Sequence, residues 1–338
     1  LGWQAAGPLL VDAGRKNAGT MRKFIIRRIL QAIPLLFVIS FLSFWIYSII
    51  PNTPFRAELA LNPNATEEDI RRLEEKYGFN KPFLIRYVEW LGNVLRGDLG
   101  KSYFTKRPVF EMVVERLPAT LTLTGSAFLI SLVVGIPLGI FSALNRNTLF
   151  DGIVRSVTVF FTALPAWAIG LILIIILGGQ LRLFPQGGMY TIGKEGDLLN
   201  RLHHLALPAL VAGIDGCVGF IRLMRSQTLE VLRQDFVRTA YAKGLSQQVV
   251  IWRHVLRNSF IPVWTSFGGL LASLVSGAAI FESIFSWPGM GRLVLDAVFK
   301  LDYPVVLAAT MLGAVLILIG YVIVDIGYAW LDPRVRLD

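Results

Sequence analysis

The sequence predicts an all-α integral membrane protein, with six membrane-crossing helices and a small extracytoplasmic subdomain after the first. Three observations lead there. Hydrophobic residues make up 54% of the 338 residues and charged residues only 17%, where a soluble chain of this size carries about 25% charge. Six segments approach the roughly 20 mostly apolar residues that a crossing helix needs: Ile29 to Ile50, Ala119 to Leu144, Ile153 to Leu177, Leu205 to Met224, Phe260 to Phe281 and Pro304 to Trp330. Basic residues then fall on alternate connections. Arg22, Lys23, Arg27 and Arg28 flank the first span, which by the positive-inside bias puts that end in the cytoplasm. Six crossings return the C-terminus to the same side.

Taken in order, residues 1–20 show no period and read as an upstream scar, with Met21 as the native start. "MRKFIIRR" has the basic start of a signal peptide, but its apolar run continues to Ile50 without a small-residue cleavage site. Residues 21–50 are therefore expected to be a retained signal-anchor helix. Residues 51–117 form the expected extracytoplasmic subdomain. In "NATEEDIRRLEEKYG", Thr66 supplies an N-cap, acids fill the first turn and Gly78 ends the helix. Residues 118–331 form the transmembrane core and 332–338 a cytoplasmic tail. Pro118, Pro137, Pro165 and Pro208 lie in or beside spans, where neighbouring helices satisfy the freed carbonyls. Cys217 is the sole cysteine and reads as a small packing residue.

Between the fourth and fifth spans lies "RTAYAKGLSQQVVIWRHVLRN", Arg238 to Asn258, inside a predicted hairpin of about residues 229–258. Helix one is expected over Leu229 to Lys243, burying Leu229, Leu232, Phe236 and Ala240 at three- and four-residue spacing. Gly244 makes the left-handed turn, Leu245 folds back, and Ser246 caps a second helix whose apolar face is Val249, Trp252 and Leu256. A free helix-turn-helix would suggest DNA reading, but one tethered at both ends to a bilayer is poorly placed to enter a major groove. A solvated basic loop explains the arginines and leaves the apolar stripe, turn and cap unexplained.

Other residues stand out singly. Asp215 falls mid-span, where a lone carboxylate costs at least about 2.5 kcal/mol; it is expected either to hydrogen-bond across helices, helped by nearby glycines, or to line a translocation path and favour cationic substrates. Asp325, deep in the last span, is expected to pair with an arginine at the cytoplasmic end, Arg222 first. "ESIFSWPGMGRL" reads as an outside turn with Phe285 and Trp287 as interfacial aromatics. His203 and His204 lack partners at ligand spacing, so no metal site is expected there. No phosphate-binding loop, nucleophile elbow, HExxH or CxxC occurs. Any driving energy must come from a partner chain or an ion gradient, and no catalytic residue is assigned.

At this point the sequence resembles a family. "RTAYAKG" with the following "HVLRN" is similar to the EAA loop of type I ABC importer permeases, in the variant of the peptide and nickel permease family. The resemblance spans nearly all of Met21 to Asp338 through "FIIRRILQAIPLLFVISFLSFWI", "YGFNKP", "GDLGKS", "RSQTLEVLRQDFVRTAYAKG", "ESIFSWPGMGRL", "DYPVV" and "DPRVR", and is closest to the B-type subunit of oligopeptide or dipeptide importers. It implies the type I importer fold and a bacterial or archaeal plasma membrane location. The implied partners are a second homologous permease, two ABC ATPases and an extracytoplasmic binding protein. ATP and magnesium would bind those ATPases and no cofactor this chain. It further implies that Asp235, Arg238, Thr239, Ala240, Lys243, Gly244, Leu245, Ser246, Trp252, His254 and Arg257 form the ATPase-coupling loop, and that Glu282, Phe285, Trp287, Pro288 and Gly289 stand at the periplasmic mouth. Arg238, Thr239 and Ala240 occupy the Glu-Ala-Ala places, so the consensus glutamate contact does not carry over. Family members import peptides, nickel, glutathione or oligosaccharides. The rival classes are an ion-coupled secondary transporter, which would usually show an inverted repeat, and a receptor, which would need a sizeable soluble module.

Overall fold

The computed structural model describes the backbone of residues 7–50, 66–260, 262–266 and 279–331, with side chains described between residues 26 and 327. In chain order the helices are α1 (Gly7–Ser48), α2 (Glu67–Lys76), α3 (Phe83–Leu95), α4 (Val109–Leu144), α5 (Leu149–Ala163), α6 (Ala166–Leu173, continued by π-turns over Ile174–Gln180), α7 (Leu198–Val231), α8 (Asp235–Ala242), α9 (Gln247–Val249, continued by π-turns over Val250–Val255), α10 (Leu256–Ser259), α11 (Ala279–Ile284), α12 (Met290–Phe299) and α13 (Tyr303–Leu331). Among the described residues there is no strand, only an isolated bridge between Lys101 and Pro108.

Among the described residues, four helices are long and apolar enough to cross a bilayer, over Ile26–Ser48, Val109–Leu144, Leu198–Val231 and Tyr303–Gly327. The third predicted span is not one rod. α5 and α6 pass the same test only as a pair bent by 90°. The cause is local: Pro165 disfavours helical geometry at the residue before it, and Leu164 is extended, with φ −103° and ψ 131°. Most of the predicted fifth span, Phe260 to Phe281, lies outside the described residues.

Lipid offers helices no hydrophobic reason to associate, so they pair by close backbone approach and interhelical hydrogen bonds. α4 and α7 do both. A Cβ on Gly135 would lie 2.8 Å from the Cβ of Phe220, and one on Gly139 would lie 2.7 Å from the carbonyl of Ile221. From the other side, a Cβ on Gly216 would sit 2.1 Å from Ser131 Oγ. That hydroxyl lies 2.8 Å from the Ala127 carbonyl and 2.9 Å from the Gly213 carbonyl, bridging the two helices.

α1 and α13 pack at the periphery, and α2 and α3 sit at their far end. Thr66 and Asp69 form the predicted cap reciprocally, and Gly78 has φ +75°. Phe83 and Tyr87 of α3 pack against Phe41 and Phe44 of α1 and Tyr303 of α13, and Tyr87 Oη lies 2.8 Å from Ser40 Oγ. The guanidinium of Arg86 stands 4.5 Å over the Phe79 ring, and burial lowers its pKa. Asp302, just before α13, accepts from Ser102 Oγ and the Tyr103 amide; burial raises its carboxyl above the ordinary range against the pull of those donors.

The close approach is testable by one methyl group. Gly139→Ala places it against the Ile221 carbonyl and is expected to cost about 1–3 kcal/mol by overpacking, read as a lower Tm in detergent. Gly125→Ala, whose Cβ meets nothing within 4 Å, should leave Tm unchanged. Equal values for the two would reject this packing.

Candidate functional site

The hairpin is an extension of α7. That helix runs unbroken to Val231, turns over Leu232–Gln234 through bonds such as Gln234 N to the Val231 carbonyl (3.0 Å), and restarts at Asp235. α8 ends as the sequence predicts: Gly244 has φ +76°, its amide bonds the Tyr241 carbonyl (2.9 Å), and the Leu245 amide reaches the Ala240 carbonyl (3.3 Å). This 6→1 and 5→2 pair is a Schellman ending. Ser246 stands at the N-cap of α9 with extended backbone, but its side chain makes no capping bond.

The buried faces differ from those predicted. Val237, Ala240, Val250 and Val255 form the hairpin core, with Val231 and Leu232 against it. The helix restarts after the turn, so Leu229 stays half-buried on α7 and Phe236 points outward. In the second arm the π-turns wind one residue wider, which aligns Val250 with Val255. Leu256 is buried as predicted, but Val249 is exposed and Trp252 is 71% exposed. Phe236, Tyr241, Leu245, Val249 and Trp252 are thus exposed large apolar side chains on the hairpin. Among them stand the exposed Asp235, Arg238, Thr239, Lys243, Gly244, Ser246 and Arg257, while Ala240 is buried and His254 half-buried. Arg238 Nη1 lies 3.6 Å from Asp235 Oδ1 in a solvent-exposed pair, worth little energetically.

An ion pair absent from the sequence reading supports the hairpin. Asp151, in the first turn of α5, is fully buried. Its Oδ1 accepts from Ser142 Oγ of α4 (2.6 Å) and Arg225 Nε of α7 (2.8 Å); its Oδ2 accepts from Arg225 Nη2 (2.9 Å) and the Asn147 amide (3.1 Å). The fork-on-carboxylate geometry is the strong form of such a pair. It locks three helices two turns before the hairpin begins. A carboxylate opening one span and an arginine closing another are visible in the sequence, but 74 residues separate them.

The remaining candidates fall at other places. Glu282 is fully buried: Oε1 accepts from Thr120 Oγ1 (2.8 Å) and Oε2 from the Arg292 amide (2.9 Å). Trp287 Nε1 donates to the Ala119 carbonyl (2.7 Å), and a Cβ on Gly289 would lie 2.2 Å from the Glu282 carboxylate. Phe285 and Trp287 are buried, so they are not interfacial aromatics. Pro288 is half-buried beside them, and the segment is a keystone clamped onto α4 at the end opposite the hairpin. Asp325 pairs with Arg28 on α1 at 3.0 Å, and the expected partner Arg222 is exposed on α7; the first helix, not the fourth span, lies beside α13 there. Asp215 is exposed and makes no interhelical hydrogen bond among the described residues. His203 Nε2 lies 2.8 Å from the Leu183 carbonyl, and His204 Nδ1 reaches the carbonyls of Gly187 and Gly188, so both histidines brace the loop before α7.

An apolar bundle, a braced hairpin at one end and a clamped keystone at the other describe a multi-pass membrane protein. The chain belongs to the family of binding-protein-dependent transport system inner membrane components, which matches residues 135–337; the N-terminal region of such membrane components matches residues 21–124. It is 41% identical over 317 residues to the oligopeptide transport system permease protein AppB of Bacillus subtilis (strain 168), covering 94% of this chain and 100% of that one. It is 37% identical over 337 residues to the di/tripeptide transport system permease protein DppB of Pseudomonas aeruginosa (strain UCBPP-PA14), covering 94% and 99%. Among solved structures, the inward-facing MetNI methionine ABC transporter aligns with a TM-score of 0.49 at 16% identity, over 67% of this chain and 98% of that one.

Removing one partner of a buried pair strands the other charge. Arg225→Ala is expected to cost about 3–5 kcal/mol, read as a lower Tm, whereas the double variant Asp151→Leu/Arg225→Met should recover most of it. A double variant as unstable as the single one would show that the pair itself, and not the stranded charge, sets the cost.

Proposed function

We propose that this chain is a permease subunit of an ATP-driven importer for oligopeptides or dipeptides and forms half of the translocation pathway. The observation that carries the reading is the hairpin: a rigid, Schellman-closed elbow rooted in α7 that turns five large apolar side chains outward. Large apolar side chains left exposed in such number on one short hairpin favour a partner that covers them. The chain has no phosphate-binding loop of its own, which favours a separate nucleotide-hydrolysing partner as the occupant. The relatives AppB and DppB, permease proteins of oligopeptide and di/tripeptide transport systems, support the peptide class.

In this reading the hairpin end faces the cytoplasm of a bacterial or archaeal cell, together with both termini, as the basic flank of α1 favours. A second, homologous permease completes the path. Two ATPases holding ATP and magnesium sit beneath the two hairpins, and a substrate-binding protein docks at the opposite end, near the Glu282 keystone. Closure of the ATPase pair moves the elbows, and the bundle opens outward; hydrolysis resets it. Because α7 continues into the hairpin and is pinned by Arg225 to Asp151, a displacement of the elbow reaches the bundle as a rigid-body motion. Arg238, Lys243 and Arg257 give the docking face a basic rim suited to an acidic cleft.

The test is Trp252→Asp in the assembled transporter. Exposed as Trp252 is, the change should leave Tm of the isolated subunit unchanged. It should abolish co-purification of the ATPase subunits and ATP-dependent uptake of labelled peptide into proteoliposomes. Wild-type uptake and ATPase retention in Trp252→Asp would reject the hairpin as the handle.

A further inference from the structure

α7 carries two opposite charges on one face of a membrane span. The residues that pack on α4 recur at Gly213, Gly216, Phe220 and Met224. At 3.6 residues per turn, Asp215, Gly219, Arg222 and Ser226 lie on the other side of the helix, and all four are exposed. Elsewhere on the spans, exposed side chains such as Val133 and Val157 are of the kind lipid accepts. Ionisable residues at this depth face protein or water. Asp215 and Arg222 make no ion pair among the described residues, and nothing among them lies within 4 Å of a Cβ placed on Gly219. Among the described residues the stripe is thus negative near mid-span, open in the middle and positive toward the hairpin end.

Seven residues of helix separate the two charges by about 10.5 Å along the axis. An extended peptide covers about 3.3–3.6 Å per residue, so a chain of three residues carries its terminal ammonium and carboxylate across that interval. Resting on the importer reading above, we propose that Asp215 and Arg222 form a two-point rail for short zwitterionic peptides, Asp215 receiving the amino terminus and Arg222 the carboxylate. The carboxylate then leads toward the hairpin end. Gly219 between them leaves room for the peptide backbone, where a bulky side chain would fill the rail; a Cβ there meets nothing within 4 Å among the described residues, so a small side chain is accommodated. Charge complementarity favours this occupant: a zwitterion pairs a charge with each group, whereas a neutral solute offers hydrogen bonds but no opposite charge, and an acyl chain cannot offset the desolvation of the two groups.

The test uses the complete transporter in proteoliposomes, with Cys217→Ala removing the sole, buried cysteine and Gly219→Cys as the reporter. Water-borne cationic and anionic thiol reagents should both label position 219 in at least one nucleotide state, and neither should label a Val133→Cys control. Asp215→Asn should lower the cationic-to-anionic rate ratio and Arg222→Gln should raise it, each by about tenfold, the scale of one lost charge-assisted contact. Saturating zwitterionic tripeptide should slow labelling, and each charge removal should weaken that protection. Labelling at 219 no better than at the control, as under lipid or a partner helix, overturns the proposal; so does a rate ratio that neither substitution moves. Loss of ATP-dependent uptake in the unsubstituted complex would instead count against the importer reading, since the labelling pattern reports on the stripe independently.

Discussion

The close contact of α4 with α7 is the constraint on which the rest of the protein depends. In a hydrocarbon medium two helices stay together by shape and by the hydrogen bonds they exchange, and here Gly135, Gly139 and Gly216 bring backbones near enough for Ser131 to bridge them. Each end of this spine then carries a buried carboxylate that α4 helps to satisfy with a hydroxyl. At the hairpin end Ser142 and Arg225 hold Asp151; at the other end Thr120 holds Glu282. A buried charge left without its donors is costly, so each carboxylate forces its own segment into register with the spine. The bent α5–α6 pair is located by one clamp and the α11–α12 turn by the other.

Much of this was legible in the sequence, and the failures share a cause. Features governed by a few adjacent residues came out as expected: the Thr66 cap, the Gly78 stop and the Gly244 turn each depend on one local backbone requirement. Long apolar runs marked the four uninterrupted spans because lipid tolerates little else. Periodicity failed where the helix itself changes. It assumed an unbroken α-helix from Leu229 and a regular one after Ser246, but the chain turns at residues 232–234 and widens into π-turns from Val250. Each departure rotates every later side chain, which is why Phe236 and Trp252 exchanged their predicted burial for exposure. The pairs Asp151–Arg225 and Arg28–Asp325 were out of reach for a different reason: nothing local says which of several terminal arginines a given carboxylate will meet.

Those same departures decide which side chains the hairpin exposes. A strictly periodic hairpin would bury its large side chains and present a polar, solvated exterior, which a partner grips poorly. Restarting the first arm turns Phe236 outward, and widening the second arm swings Trp252 to the surface while Val250 and Val255, both small and β-branched, fill the core. The elbow therefore keeps a compact interior and reserves its bulkiest group, an indole, for the outside. Aromatic side chains of this size dominate the energetics of protein contacts. In the proposed role of a handle, the elbow transmits force only if its root does not yield. Arg225 lies six residues before Val231, where α7 ends, and its two bonds to Asp151 tie that root to α4 and α5 together. The root of the hairpin is thereby held by three helices instead of one.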